Sequence, residues 1–344
     1  MTGYRLRVRR VVEETADARS IVFEVPAELA DRFAYRPGQF LTLRIPRADG
    51  TAVARCYSLA SAPGVDADPK VTVKRVTGGC GSNWICDHLE PGQEVEVLPP
   101  AGTFTADRLA GDHLFLAGGS GITPVISIIK SVLAEPSGSA VLVYANRDER
   151  SVIFASELRE LAERHPGRLL VIHLLETVQG LPTADVLAQL LAPFTSRDTA
   201  FVCGPAPFMA VATETLSLLG MARERVVVER FRSLTGDPFA EVVVPASAEE
   251  SPEAAATVTV SLDGEQRTLP WPAERTLLEL LLADGMDAPF SCKEGACSAC
   301  ACKLVSGEVK MLRNEVLEDE DLAEGWVLAC QAVPISDEVE VSYD

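Results

Sequence analysis

The chain has 344 residues, too many for one ordinary domain and suited to two or three. Apolar residues make up 47% and charged residues 24%, the composition of a globular protein able to bury several cores. A net charge of −19 argues against nucleic acid or an anionic membrane surface as the main partner.

The opening MTGYRLRVRRVVEET has no long apolar run and no cleavage site, so no secretory signal is expected. The first hundred residues are short β-rich runs: RLRVRRVV, SIVFEV, FLTLRI, YSLA, VTVKRV and EVEVLP. Pro37-Gly38, Pro63-Gly64, Gly78-Gly79 and Pro91-Gly92 separate them, which predicts a closed antiparallel barrel or sandwich over 1–108. From about Asp112 the rhythm changes. Apolar strands HLFLAGG, AVLVYANR, RLLVIHLL, AFVCGP and VVVERF alternate with helices expected at 124–133, 154–164, 183–191 and 207–219. That alternation predicts a doubly wound parallel sheet covered on both faces, over 109–240. The most apolar stretch, 113–129, is broken by AGGSG and a proline, so it is no membrane span.

Residues 241–256, with PASAEESPEAAA from Pro245, read as a linker. A third domain is expected over 257–344: TVTVSL, an Asp263-Gly264 hairpin turn, QRTLPW, a leucine-rich helix at 277–282, a cysteine loop and a last strand in EVEVSYD. This segment holds 18 acidic and 6 basic residues, against 32 and 25 in the rest of the chain. It is either a unit with its own surface task or simply a well-solvated acidic domain.

Nine cysteines is an odd number, and five of them crowd between Cys292 and Cys330. With no signal, this points to a reducing, cytoplasmic compartment and a metal site, not disulfides. The spacing Cys292-x4-Cys297-x2-Cys300, with a distant Cys330, is the plant-type [2Fe–2S] pattern. Three thiolates on one tight loop wrap the cluster, and the fourth arrives from another segment. The intervening residues are small and include Gly295, so backbone N–H groups can reach the sulfurs. Zinc is the alternative, but zinc sites usually pair two C-x2-C or C-x2-C/H-x3-H units, and no histidine lies nearby. Cys302 reads as a packed bystander.

At the end of the first parallel strand stands Ala117-Gly118-Gly119-Ser120-Gly121-Ile122-Thr123-Pro124. Glycines there let the backbone approach a pyrophosphate held at a helix N-terminus, and Pro124 suits a first helical turn. A mere structural turn is the competing reading, and Pro124 replaces the usual third glycine. Cys203-Gly204-Pro205 ends a later strand, where the ligand crevice of such sheets lies. Cys203 is read as close to a nicotinamide, or else as a core thiol. Arg147 suggests a 2′-phosphate, whereas Asp148 and Glu149 oppose one, which leaves NADPH open and tilts towards NADH. In the β-rich half, Arg55-Cys56-Tyr57-Ser58-Leu59 puts a cation, a ring and a hydroxyl on one strand, either a flavin cradle or an ordinary strand.

The ordered set YRPGQFLTLRI, RCYSL, VKRV, GGCGSNWICD, AGGSGITP, CGP and VERF resembles the ferredoxin–NADP+ reductase superfamily. With its cysteine domain the chain is similar to the three-part reductase components of multicomponent oxygenases. The nearest likeness is to those serving 3-ketosteroid 9α-hydroxylases, with phenylacetyl-CoA epoxidase reductases beside them. The resemblance implies an FAD barrel, an NAD(P)H domain and a β-grasp ferredoxin domain, passing electrons to a terminal oxygenase. It places Arg55 on the FAD pyrophosphate, Tyr57 and Ser58 on the isoalloxazine, and Lys74 beside the flavin tail. Gly81, Ser82 and Asn83 would hold phosphates. Gly119, Gly121, Thr123, Pro124, Gly204 and Pro205 would meet the nicotinamide nucleotide. Ser58, Thr123 and Cys203 would line the hydride path, with Phe231 shielding the flavin or packing in the core. FAD over FMN follows from the resemblance alone. His88, His113, His165 and His173 are assigned no chemistry.

Overall fold

The computed structural model describes residues 3–47, 49–240 and 256–343. They form two compact units, Gly3–Phe231 and the segment from Arg232 onward. The expected linker lies outside the described residues, apart from Ala256, which opens a strand.

The first sheet contains β1 (Tyr4–Thr15), β2 (Ala18–Glu24), β3 (Phe40–Pro46), β4 (Ala52–Ser58), β5 (Lys70–Lys74) and β6 (Glu94–Ala101). Alternation drives β1: Leu6 and Val8 point into the core while the intervening arginines face water. The order is β4-β3-β6-β1-β2-β5, antiparallel throughout. A bridge from Leu59 to Val71 joins the two edges, so the sheet closes into the expected barrel. Helix α1 (Cys80–His88) was not expected from the sequence. Its glycines argue for a turn, yet Ile85 and Cys86 pack into the barrel core, and that burial outweighs the poor local propensity.

The second sheet is all parallel: β7 (Asp112–Gly118), β8 (Ser139–Asn146), β9 (Leu169–Leu175), β10 (Thr199–Cys203) and β11 (Val226–Glu229), in the order β11-β10-β7-β8-β9. Helices α2 (Ile122–Ala134) and α3 (Ala155–Arg164) cover one face. After the short α4 (Glu176–Gln179), α5 (Ala184–Leu191) and α6 (Ala206–Leu218) cover the other. Strand order reverses between β7 and β10, which opens the ligand crevice at their C-terminal ends. Barrel and parallel sheet share one core: Phe104 meets Phe201 edge-on, with centroids 5.4 Å apart. Lys130 is nearly fully buried, with its Nζ 2.6 Å from Asp66 and 2.9 Å from Glu157. Lys70 of β5 adds a second 2.9 Å contact to Glu157, so the buried cations are matched by carboxylates.

The C-terminal unit has β12 (Ala256–Leu262), β13 (Glu265–Trp271), α7 (Leu277–Ala283), β14 (Ala301–Ser306), β15 (Val309–Met311), α8 (Asp319–Ala323), β16 (Trp326–Leu328), β17 (Ala332–Pro334) and β18 (Glu338–Ser342). The main sheet runs β13-β12-β18-β14-β16. Its β12–β18 pair is parallel and its other pairs are antiparallel. One helix on a mixed sheet of this order is the expected β-grasp. Asp263 and Gly264, with φ of 53° and 75°, make the tight hairpin turn that needs two left-handed residues. A reciprocal cap between Thr276 and Glu279 starts α7, whose leucines pack in the same core as Trp271.

Candidate functional site

The loop between α7 and β14 gathers Cys292, Cys297 and Cys300, and Cys330 follows β16. Cys292, Cys300 and Cys330 are buried and Cys297 is partly exposed. Lys293, Gly295 and Ser298 all have left-handed φ values, between 52° and 75°. For the two non-glycines this costs on the order of 1 kcal/mol each. The coiled backbone aims its N–H groups inward: Glu294 and Ala296 donate to Cys292 Sγ at 3.4 and 3.3 Å, and Cys292 donates to Cys297 Sγ at 3.4 Å. Gln331 Nε2 donates to Cys330 Sγ at 3.6 Å. Bonds to Cys297 and Cys330, followed by these amides, hold the Cys292 thiol far below its ordinary value. Cys330, bonded to Cys292 and Cys300, is pushed up in turn. Cys292 reaches Cys297 and Cys330, Cys330 reaches Cys300, and N–H groups donate to three of the four sulfurs, an arrangement that fits a thiolate-held iron–sulfur cluster. Cys302 lies in the domain core, where burial pushes its thiol up to about 12.

At the reversal point in the parallel sheet, a short turn, Gly119–Gly121, leads from β7 into α2. A Cβ on Gly121 would stand 2.1 Å from the Cys203 carbonyl oxygen, and one on Gly204 would stand 2.9 Å from Gly118 N. The two strand ends therefore touch backbone to backbone, with Pro205 against Gly118. Gly119 has φ of 52°, and the position of its missing Cβ is 3.7 Å from Lys74 Nζ. The structure thus brings Gly119, Gly121, Gly204 and Pro205 together. Thr123 and Pro124, in the first turn of α2, are buried, and the Thr123 hydroxyl donates back to Ser120 O at 3.0 Å. Cys203 is fully buried in the α2-side core, which pushes its thiol well up. Its neighbour across the β10–β11 ladder is Glu229, whose carboxyl burial raises to about 8. Glu229 was missed in the sequence. Its place in VERF, two residues before Phe231, was the available signal.

Across the barrel mouth, Arg55 and Tyr57 project from β4 towards α1. A Cβ on Gly81 would lie 3.0 Å from Arg55 Cγ and 3.5 Å from the Tyr57 hydroxyl. Burial keeps Tyr57 neutral, its phenol pushed above the ordinary range. Arg55 and Arg47 both reach Cys80 Sγ, at 3.9 and 4.0 Å, so two guanidiniums flank the start of α1. Arg47 was another omission. Ser82 and Asn83 are both tied to Val76: Ser82 Oγ accepts from Val76 N at 3.1 Å, and Asn83 Nδ2 donates to Val76 O at 3.2 Å. They shape the turn, leaving backbone N–H groups of the first helical turn for an anion. Ser58 is buried at the end of β4. Lys74 lies 3.8 Å from Asp17, and Phe231 is 49% exposed, which removes core packing as its role.

Arg147 is exposed and paired with Asp148 at 3.1 Å, while Asp148 also caps the following turn through Ser151. Beside them Asn146, at the end of β8, is 8% exposed and has no well-formed side-chain hydrogen bond. Such a buried amide at the mouth of the crevice fits a site that awaits a polar ligand. Of the four histidines, His113 donates from Nε2 to Arg108 O at 2.9 Å and burial lowers its pKa; burial also lowers His165 and His173.

Comparison with known proteins matches each part. The oxidoreductase FAD-binding domain family matches residues 5–106, the oxidoreductase NAD-binding domain family 115–214, and the 2Fe-2S iron-sulfur cluster binding domain family 260–334. Fold and site together define an NAD- and FAD-dependent iron–sulfur oxidoreductase. The chain is 56% identical to the "3-ketosteroid-9-alpha-monooxygenase, ferredoxin reductase component" of Rhodococcus rhodochrous, over 98% of this chain and 96% of the relative. The protein of that name from Mycobacterium tuberculosis (strain ATCC 25618 / H37Rv) is 53% identical, over 98% and 95%. The chain belongs to the family of these ferredoxin reductase components. A component of 1,2-phenylacetyl-CoA epoxidase from Escherichia coli (strain K12) is 36% identical, over 100% and 98%. Phthalate dioxygenase reductase superposes with a TM-score of 0.59 at 26% identity, covering 99% of this chain and 98% of that one. An intact type IV self-sufficient cytochrome P450 monooxygenase gives 0.64 at 25% identity; this chain covers 41% of its length. Among the described residues no helix is long and apolar enough to cross a membrane.

Proposed function

We propose that this chain is the NADH-dependent reductase of a two-component steroid-ring hydroxylase, delivering electrons to a terminal oxygenase that acts on 3-ketosteroids in the cytoplasm. The observation that carries the reading is the near-complete alignment, at more than half identity, with proteins named as the reductase components of that monooxygenase. Bound in these three sites, NADH supplies electrons in pairs, FAD exchanges pairs for single electrons, and the [2Fe–2S] cluster carries them singly.

The chain's own residues bind and orient. Arg55, Arg47 and the first turn of α1 (Gly81, with Ser82 and Asn83 shaping it) hold the FAD pyrophosphate. Tyr57 packs its neutral ring on the isoalloxazine, and Ser58 presents a hydroxyl to it. Lys74 sits where the barrel faces Gly119. Gly119, Gly121, Gly204 and Pro205 let the coenzyme lie against bare backbone, with Thr123 and Pro124 opening α2 beside it. Burial disfavours the charged forms of Cys203 and Glu229, which limits negative charge at the nicotinamide end of the crevice. Phe231 offers an exposed ring as the flavin's shield. The Arg147–Asp148 pair neutralises the cation that a 2′-phosphate would need, which favours NADH over NADPH. Cys292, Cys297, Cys300 and Cys330 ligate the cluster. The excess of acidic residues around it favours a basic docking patch on the oxygenase, with a rate that falls as salt rises.

The test is turnover: the purified chain, an excess of NADH and a purified 3-ketosteroid 9α-oxygenase are expected to hydroxylate a 3-ketosteroid. Turnover with phenylacetyl-CoA epoxidase components and none with the steroid oxygenase would reassign the partner.

A further inference from the structure

Residues 232–240 follow Phe231 directly and precede the undescribed 241–255, and in the C-terminal unit they lie along the cluster loop. One carboxylate holds them. Thr235 N donates to Glu294 Oε1 at 2.9 Å, Thr235 Oγ1 donates to Oε2 at 2.7 Å, and Gly236 N donates to Oε2 at 2.8 Å. The Glu294 side chain is only 11% exposed, and Arg313 NH1 balances its charge at 3.9 Å. Two weaker ties flank it: Lys293 Nζ donates to Ala240 O at 3.1 Å, and Arg232 NH2 to Glu315 O at 3.4 Å. The same Glu294 donates its backbone N–H to the cluster ligand Cys292. One residue thus touches both a cluster sulfur and the segment leaving the flavin–nucleotide unit.

We propose that Glu294 is a positioning residue whose carboxylate clamps the segment 232–240 to the cluster loop and shortens the covalent tether that follows Phe231. The inference rests on the flavin-to-cluster route of the proposed function. With the clamp made, Thr235 lies four chain steps after Phe231, a span of at most about 14 Å. With the clamp open, the next tie is that of Lys293 Nζ to Ala240 O, nine positions after Phe231. For a flexible tether the effective concentration of its ends falls roughly as the −3/2 power of length, here about threefold. The conformational entropy of the longer chain is thereby removed in advance, by hydrogen bonds distant from every cofactor-contacting atom except one amide.

The experiment uses the full chain with its cofactors. In Glu294→Ala, hydrogen exchange at the Thr235 and Gly236 amides is expected to accelerate, and NADH–cytochrome c reduction per bound iron to fall about threefold. Glu294→Gln, which keeps an oxygen acceptor, is expected to recover part of both. Unchanged exchange at those amides overturns the clamp. Faster exchange with unchanged cytochrome c reduction per iron overturns its role in transfer. Should Glu294→Ala not retain iron, Thr235→Val decides by the same two readouts: it deletes one hydroxyl bond, and about a threefold faster exchange at Gly236 with a smaller loss of cytochrome c reduction is expected. NADH–ferricyanide activity in Thr235→Val should match the parent. If the route itself is wrong, cytochrome c reduction will persist without the cluster, while the exchange measurement still judges the clamp.

Discussion

On the proposed reading the holding groups of the cluster loop are side chains, four sulfurs whose removal would take away a bond to iron. In the flavin–nucleotide unit they are largely backbone: the Gly119–Gly121 turn, the Gly118–Gly204 contact and the start of α1. The two regions should therefore fail in opposite ways. The first is broken by deleting a side chain, the second by adding one.

Deletion gives the largest expected effect. Cys297→Ser should abolish NADH–cytochrome c reduction and leave NADH–ferricyanide activity largely intact, measured side by side on protein that keeps its yellow colour. Loss of both would mean that the two regions are not functionally separable. Addition comes next. In Gly121→Ala the new methyl would meet the Cys203 carbonyl at 2.1 Å, backbone against backbone, so no side chain can yield. NADH-driven flavin reduction should drop by more than tenfold while bound flavin stays. Gly119→Ala has open space, with only Lys74 Nζ at 3.7 Å, and bears only a left-handed backbone cost of about 1–2 kcal/mol. If both alanines behave alike, steric closeness is not what the glycines supply.

Between these extremes stand the arginines at α1. A charge-assisted hydrogen bond contributes roughly 1.5–3 kcal/mol, so Arg55→Ala should weaken FAD binding about 10- to 100-fold and give flavin-depleted protein. Arg47→Ala, whose guanidinium reaches the same helix start, should weaken it less. Fluorescence titration of apoprotein with FAD measures both. Equal full occupancy in the two variants would move the pyrophosphate away from α1.

How much of each region was readable follows from the same contrast. The proposed cluster ligands share one chemistry at local spacing, so Cys292, Cys297 and Cys300 stood out, with Cys330 as the distant fourth, and the structure brings them to one loop and the strand end beside it. The two sheets, the barrel and the Asp263-Gly264 hairpin were legible because periodicity and turn residues are local as well. Helix α1 was not, because Ile85 and Cys86 are fixed by a barrel core that folds far away in sequence. Arg47 and Glu229 were missed for a related reason. Each gains its meaning only from a neighbour brought by tertiary structure, Cys80 for one and Cys203 for the other. Ser82 and Asn83 were legible as positions, but their ties to Val76, which shape the turn, were not, because sequence cannot reveal them.

The last expected effect belongs to Glu229, and it tests whether the crevice is kept uncharged. Unfolded, its carboxyl titrates at the ordinary 4.5; folded, desolvation raises it to about 8. Between those values the folded chain holds a proton that the unfolded chain releases. The contribution to stability is therefore fully present below 4.5 and is lost as pH rises through 8. Glu229→Gln preserves the shape and removes the titration. Its Tm should fall less than the parent's between pH 5 and pH 8.5, and the difference between the two curves isolates this one group from every other titrating residue. Parallel curves would mean that the carboxyl is already ionised in the folded state, and that a negative charge stands beside Cys203 after all.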